Sequence, residues 1–119
     1  MTTNREGGLL QWQFSLYGEN HTRRATLVVH LLTVPLFWAG TLALLSSPWT
    51  GWPSAVLGPV TLLLVMALQG RAHAKEAVPP EPFTGPADVL ARIFLEQWVT
   101  FPRFVLSGGL LRAWRALHR

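Results

Sequence analysis

The stretch ATLVVHLLTVPLFWAGTLALLSSPWTGWPSAVLGPVTLLLVMALQG, Ala25 to Gly70, contains no Asp, Glu, Lys or Arg over 46 residues. Spanning a bilayer takes about 20 apolar residues per helix. The stretch therefore accommodates two spans and a turn, predicted over 25–45 and 53–70. The turn, SSPWTGWP from Ser46 to Pro53, is uncharged and rich in Pro and Gly. Trp49 and Trp52 within it suit a membrane–water interface. Pro35 predicts a bend in the first span, and Gly58 and Pro59 a light break in the second.

The composition agrees with this reading. Of 119 residues, 50% are hydrophobic and only 13% charged, about half the charged share of an ordinary soluble domain. So apolar and weakly charged a chain does not stay disordered. With no cysteine, disulfide frameworks, zinc–cysteine sites and thiol nucleophiles are excluded. One all-α membrane domain, 1–119, is expected. No signal peptide is expected, because the apolar run begins late and no small-residue cleavage site follows it. Arg23 and Arg24 flank the first span and Arg71 and Lys75 the second, whereas the connecting turn has no basic residue. The positive-inside rule then places both termini in the cytoplasm.

Outside the hairpin, Leu9 to Leu16 predicts a short helix near the membrane. A Pro-rich loop, EAVPPEPFTGP, covers 76–86. An amphipathic helix is predicted over about 86–101, started by Pro86 and ended near Pro102. Asp88, Arg92 and Glu96, spaced i, i+4, i+8, form a charged stripe on it. Ser107-Gly108-Gly109 breaks the chain again. The tail over 110–119 sets Arg112, Arg115 and Arg119 against Leu110, Leu111, Trp114 and Leu117, which fits anionic lipid better than nucleic acid. Ser15, Ser46, Ser47, Ser54 and Ser107 carry no nucleophile signature, and no Gly-rich phosphate loop is present.

Histidine is the informative residue type. His30 lies inside the first span, where an ionisable group is costly. Thr26, His30 and Thr33 share a helical stripe that should face protein. Gln69, His73 and Glu76 form another at the end of the second span, and H-x-x-E on one face can present an imidazole and a carboxylate to one metal. Taken singly, His30 reads as a packed histidine bonded to a carbonyl, and the second stripe as a solvated juxtamembrane face. Antiparallel pairing brings both stripes to the cytoplasmic end, where His21 also lies. His21, His30, His73 and Glu76 can then converge, and a mixed His/carboxylate set with open positions suits non-haem Fe(II) and oxygen. By helical rise, His30 lies deeper than His73, so tilt or extension of the second helix must close a gap. His118 falls in the basic tail and reads as a surface residue. Two further readings remain: a haem protein with His30 and His73 as axial ligands, and a non-catalytic membrane scaffold.

Three blocks resemble one family. They are LYGENH at Leu16 to His21 with His30 and Val34-Pro35 following, QGRAH at Gln69 to His73 with Glu76 and the Pro-rich loop, and FLEQWVTFPRF at Phe94 to Phe104 with Ser107-Gly108-Gly109. The chain, over about 12–109, resembles bacterial members of the family of the yeast 2-hydroxy fatty acid dioxygenase that acts in phytosphingosine breakdown. The resemblance implies a membrane enzyme, in a bacterium of the inner membrane, that uses Fe(II) and O2 to shorten a 2-hydroxy fatty acid by one carbon. His21, His30 and His73 are the matching histidines. Thr26 stands where Asn is usual and Ala72 where Gly is usual. Arg71, Lys75 and Arg103 are candidates to hold the substrate carboxylate. Oligomeric state is not legible.

Overall fold

The computed structural model describes Arg5 and residues 7–117, so His118 and the end of the tail lie outside the described residues. These residues form α1 (Gly8–Leu16), α2 (Arg24–Thr50), α3 (Trp52–Ala74), α4 (Pro86–Leu95), a π-helical turn (Glu96–Thr100), α5 (Phe101–Leu106) and α6 (Gly109–Ala116). No strand occurs among them. The fold is all-α, and α2 and α3 are each long and apolar enough to cross a membrane.

Both long helices outrun their expected limits, and the turn between them shrinks from Ser46–Pro53 to Gly51 alone. Pro48 cannot donate to the carbonyl of Leu44, one turn back. The Ser47 hydroxyl donates to that carbonyl instead, at 2.8 Å, so the helix passes through the proline. Gly51 takes φ +99°, open to glycine at no steric cost. At the far end, α3 runs four residues past Gly70.

The two helices pack antiparallel around small residues. A Cβ on Gly58 would stand 2.8 Å from the Leu44 backbone nitrogen and 2.9 Å from the Gly40 carbonyl oxygen. Backbone therefore meets backbone, the close approach that small residues permit between membrane helices. Lower down, Gln69 donates to the Thr33 hydroxyl at 2.9 Å. The stripe Thr26, His30, Thr33 is buried as its spacing requires.

The remaining helices gather at the base of the hairpin. The helix begun at Pro86 continues to Leu106 rather than ending near Pro102. Pro102 lacks the N–H that would bond Trp98, and the turn just before it widens to π geometry instead of stopping. This helix leans on α2 through Phe94 against Phe37 at 5.0 Å and Trp98 against Trp38 at 5.7 Å between ring centroids. Trp38 also donates to the Gln97 carbonyl at 2.7 Å. Tyr17, Leu27, Val34, Phe101 and Phe104 form the buried apolar core. Arg5 clamps Asp88 through two bonds of 2.7 and 3.0 Å, which ties the N-terminal segment to α4.

Candidate metal centre

Three histidines and one glutamate meet beside that core. The ring centroids of His21 and His30 are 4.6 Å apart, of His21 and His73 4.7 Å, and of His30 and His73 4.9 Å. The expected depth difference closes through side-chain direction. Cα–Cβ bonds tilt toward a helix's N-terminus. In antiparallel helices this lowers the His30 ring toward the base and lifts the His73 ring away from it. The extension of α3 to Ala74 adds the rest.

Two of the rings are held from behind. His21 Nδ1 lies 2.7 Å from the Tyr17 carbonyl oxygen and His30 Nδ1 2.9 Å from that of Thr26. A carbonyl only accepts, so both Nδ1 atoms carry hydrogen and both Nε2 atoms turn to the centre. They face each other at 3.4 Å. Metal-binding histidines are oriented this way, by a hydrogen bond from the distal nitrogen. Here the Thr26 main chain orients His30. Tyr17 stacks on His21 at 3.8 Å between centroids.

The carboxylate at the centre is Glu96. Its Oε2 lies 3.2 Å from His30 Nε2 and 3.6 Å from His21 Nε2, and it accepts from the Tyr17 hydroxyl at 2.9 Å. Burial pushes this carboxyl upward, but its hydrogen bonds with His21 and His30 outweigh that and hold it well below the usual range. Two imidazole Nε2 atoms and a carboxylate oxygen converging in a buried space need positive charge among them, as protons or as a metal ion. The ligand atoms of His21, His30, His73 and Glu96 all lie within 4.8 Å of one another, a set that could hold a metal ion. His73 Nδ1 is buried with no hydrogen-bond partner, a further sign of a ligand set. The His30 and His73 ring centroids stand 4.9 Å apart, closer than two axial imidazoles on opposite faces of a haem.

Glu76 stands elsewhere. The H-x-x-E pairing assumes a helix through 76, and α3 stops at Ala74. Beyond that end, the Glu76 carboxylate swings to the start of α2. There it accepts from the Thr22 N–H and hydroxyl at 2.8 and 2.7 Å and from the Arg23 N–H at 3.0 Å. The N-terminal N–H groups of a helix lack partners, and its dipole favours an anion. Glu76 is thus a cap supplied by another segment. Burial pushes its carboxyl upward, but the donors outweigh this and leave it below the ordinary value of 4.5. A depressed folded pKa contributes stability that is present above the unfolded pKa and lost as pH falls through the folded one. Glu76→Gln should therefore cost about 1.5–3 kcal/mol at neutral pH and flatten the loss of stability below pH 4.5. Chemical unfolding in detergent across pH 3–7 checks this; an unchanged acid limb would remove the capping role.

A cleft of about 370 Å³ leads to the centre between α3 and α4, with His73, Glu96 and Arg92 on its wall beside Met66, Phe83 and Ile93. Arg71, Lys75 and Arg103 are exposed, and none is among the residues lining it. Arg103 lies over the Phe14 ring at 3.9 Å. The arginine on the cleft wall is Arg92. The sequence reading placed Arg92 and Glu96 in a charged stripe with Asp88 and gave neither a place at the site; their spacing alone carried no signal that they turn inward. No family model, curated protein or solved structure matches this chain.

Proposed function

We propose that this chain is an Fe(II)-dependent dioxygenase of the family it resembles, shortening 2-hydroxy fatty acids by one carbon at the cytoplasmic face of a bacterial inner membrane. One observation carries the reading: His21 and His30, backed by main-chain carbonyls, aim their Nε2 atoms at a point shared with Glu96 and His73. The reaction balances as 2-hydroxy acid plus O2 giving the shortened acid, carbon dioxide and water. Bound iron would supply the redox chemistry and a template for the substrate's hydroxyl and carboxylate. The chain's own residues do the rest. The three imidazoles and Glu96 would hold the ion, Tyr17 fixes the Glu96 oxygen, and Phe101 and Phe104 pack behind the rings. Open positions on such a set leave room for substrate and O2.

The outer surface supports a membrane setting. Leu32, Leu45, Leu63 and Leu64 are exposed around the hairpin while Thr33 and Gln69 are buried within it. Trp49 and Trp52 are exposed at one tip, and Arg23, Arg24, Arg71 and Lys75 gather at the other. At 1.5 Å per residue, the 27 residues of α2 span about 40 Å, against about 30 Å of hydrocarbon. The excess lets His30 sit near the boundary, where the acyl chain remains in lipid and the head reaches the centre.

Protein purified without chelator should carry stoichiometric iron, show no Soret band, and convert a 2-hydroxy fatty acid to the acid one carbon shorter with uptake of O2. A Soret band would replace this reading with a haem protein, and absence of any metal would leave a scaffold.

A further inference from the structure

Arg92 is a buried cation that the metal centre leaves without a task. Its guanidinium lies between two rings, 5.2 Å from the Trp12 centroid and 4.4 Å from that of Phe83. Its Nη atoms donate to the main-chain carbonyls of Glu81 at 2.8 Å and Pro82 at 3.2 Å. Among the described residues it pairs with the Asp88 carboxylate at 3.5 Å, which Arg5 engages more tightly, at 2.7 Å. Arg92 Nε is buried and has no hydrogen-bond partner. A buried charge is costly unless fully paired; here one carboxylate, Asp88, is shared by Arg5 and Arg92, and Nε lacks a partner among the described residues.

The surroundings specify the missing anion. Arg92 lines the cleft that holds His73 and Glu96, and with His21 it also lines a smaller recess of about 40 Å³. It lies four residues before Glu96 on the same helix, about 6 Å along the axis. Met66, Phe83 and Ile93 make much of the remaining cleft wall apolar. A ligand that complements both parts carries one carboxylate at the end of an apolar chain.

We propose that Arg92 binds the substrate carboxylate and aligns the acyl chain along the Met66–Ile93–Phe83 wall. This inference rests on the dioxygenase reading and names its specificity-determining residue. One carboxylate oxygen is left for the metal centre while Arg92 takes the other. The fork of a guanidinium suits that division, and an ammonium does not reproduce it. Because Arg92 also bonds the loop at Glu81 and Pro82, a purely structural role must be separable.

The test compares 2-hydroxyhexadecanoic acid with its uncharged methyl ester. Binding is followed anaerobically through Trp fluorescence on iron-loaded protein in detergent, so that no turnover occurs. The wild type should bind the acid at least about 10-fold more tightly than the ester. Arg92→Met should weaken the acid about 10- to 100-fold, the loss of a charge-assisted hydrogen bond, and leave the ester unchanged. Arg92→Lys should fall between. Equal weakening of acid and ester, with wild-type iron content, would reduce Arg92 to a loop clasp and overturn the proposal. So would an undiminished preference for the acid in Arg92→Met. Iron content and aerobic product formation by the wild type, measured on the same preparation, separate the two levels: a wild type lacking both defeats the dioxygenase reading, and the proposal with it.

Discussion

Replacing His21, His30 or His73 by Ala is expected to remove nearly all bound iron and nearly all conversion of 2-hydroxy fatty acid. The three imidazoles reach one point from three different segments, the α1–α2 turn, α2 and the end of α3. Removing one opens a gap among rings that pack 4.6–4.9 Å apart, so the two remaining imidazoles and Glu96 lose the packing that aims them at one point. Glu96→Gln should lower iron occupancy to a similar degree, because its Oε2 lies within 3.6 Å of both His21 and His30 Nε2. Tyr17→Phe should be milder, in the range of about 10- to 100-fold in affinity that outer partners of ligands usually control. Glu76→Gln should keep its iron, since its carboxylate caps α2. Metal-to-protein ratios after desalting, beside product yields, check the series. Retention of iron and activity by both His30→Ala and His73→Ala would make these residues packing groups. Equal iron loss in Glu76→Gln and Glu96→Gln would undo the distinction between the two carboxylates.

The second large effect lies one turn from the centre. Gln69 and Gln97, both buried, exchange amide hydrogen bonds of 3.1 and 2.7 Å between α3 and the π-helical turn. Gln69→Leu or Gln97→Leu alone should destabilise the fold by about 1–3 kcal/mol, the cost of a buried amide left without its partner. Each should also loosen iron, because Gln69 precedes His73 by one turn and Gln97 follows Glu96 directly. The double change to Leu should recover most of the lost stability, since no orphaned amide remains. A double-mutant cycle of denaturant unfolding in micelles reads the coupling. Strictly additive losses would show that the two amides contribute independently.

How much of this was legible in the sequence depended on what each residue required. The hairpin was legible because 46 charge-free residues have few alternatives to two apolar helices. The meeting of His30 and His73 was legible as well, since antiparallel helices bring the start of one beside the end of the other. The choice of carboxylate was not. Glu76 is excluded by where α3 stops, two residues before it, and a helix end is set by tertiary contacts more than by local pattern. Glu96 and Arg92 were hidden by their own spacing. An i, i+4, i+8 series of charges usually marks a solvated face, and only the packing of α1 and the Pro-rich loop over this one turns it inward. The π turn before Pro102 was equally hidden, because proline by itself is compatible with either a stop or a widened turn.

The turn at Gly51 has a consequence for how such a protein is made. With one residue between α2 and α3, the two legs are joined by a turn with no slack. In the proposed membrane setting the hairpin is complete only when both legs lie in the bilayer, closed at the Gly40–Gly58 seam. Until then, His30 and His73 lie 43 positions apart along the polypeptide, and the His/Glu cluster does not exist. Under the proposed topology, metallation is then the last event of biogenesis, possible only after insertion is complete. Holo-protein would serve as a natural record of correctly inserted chains.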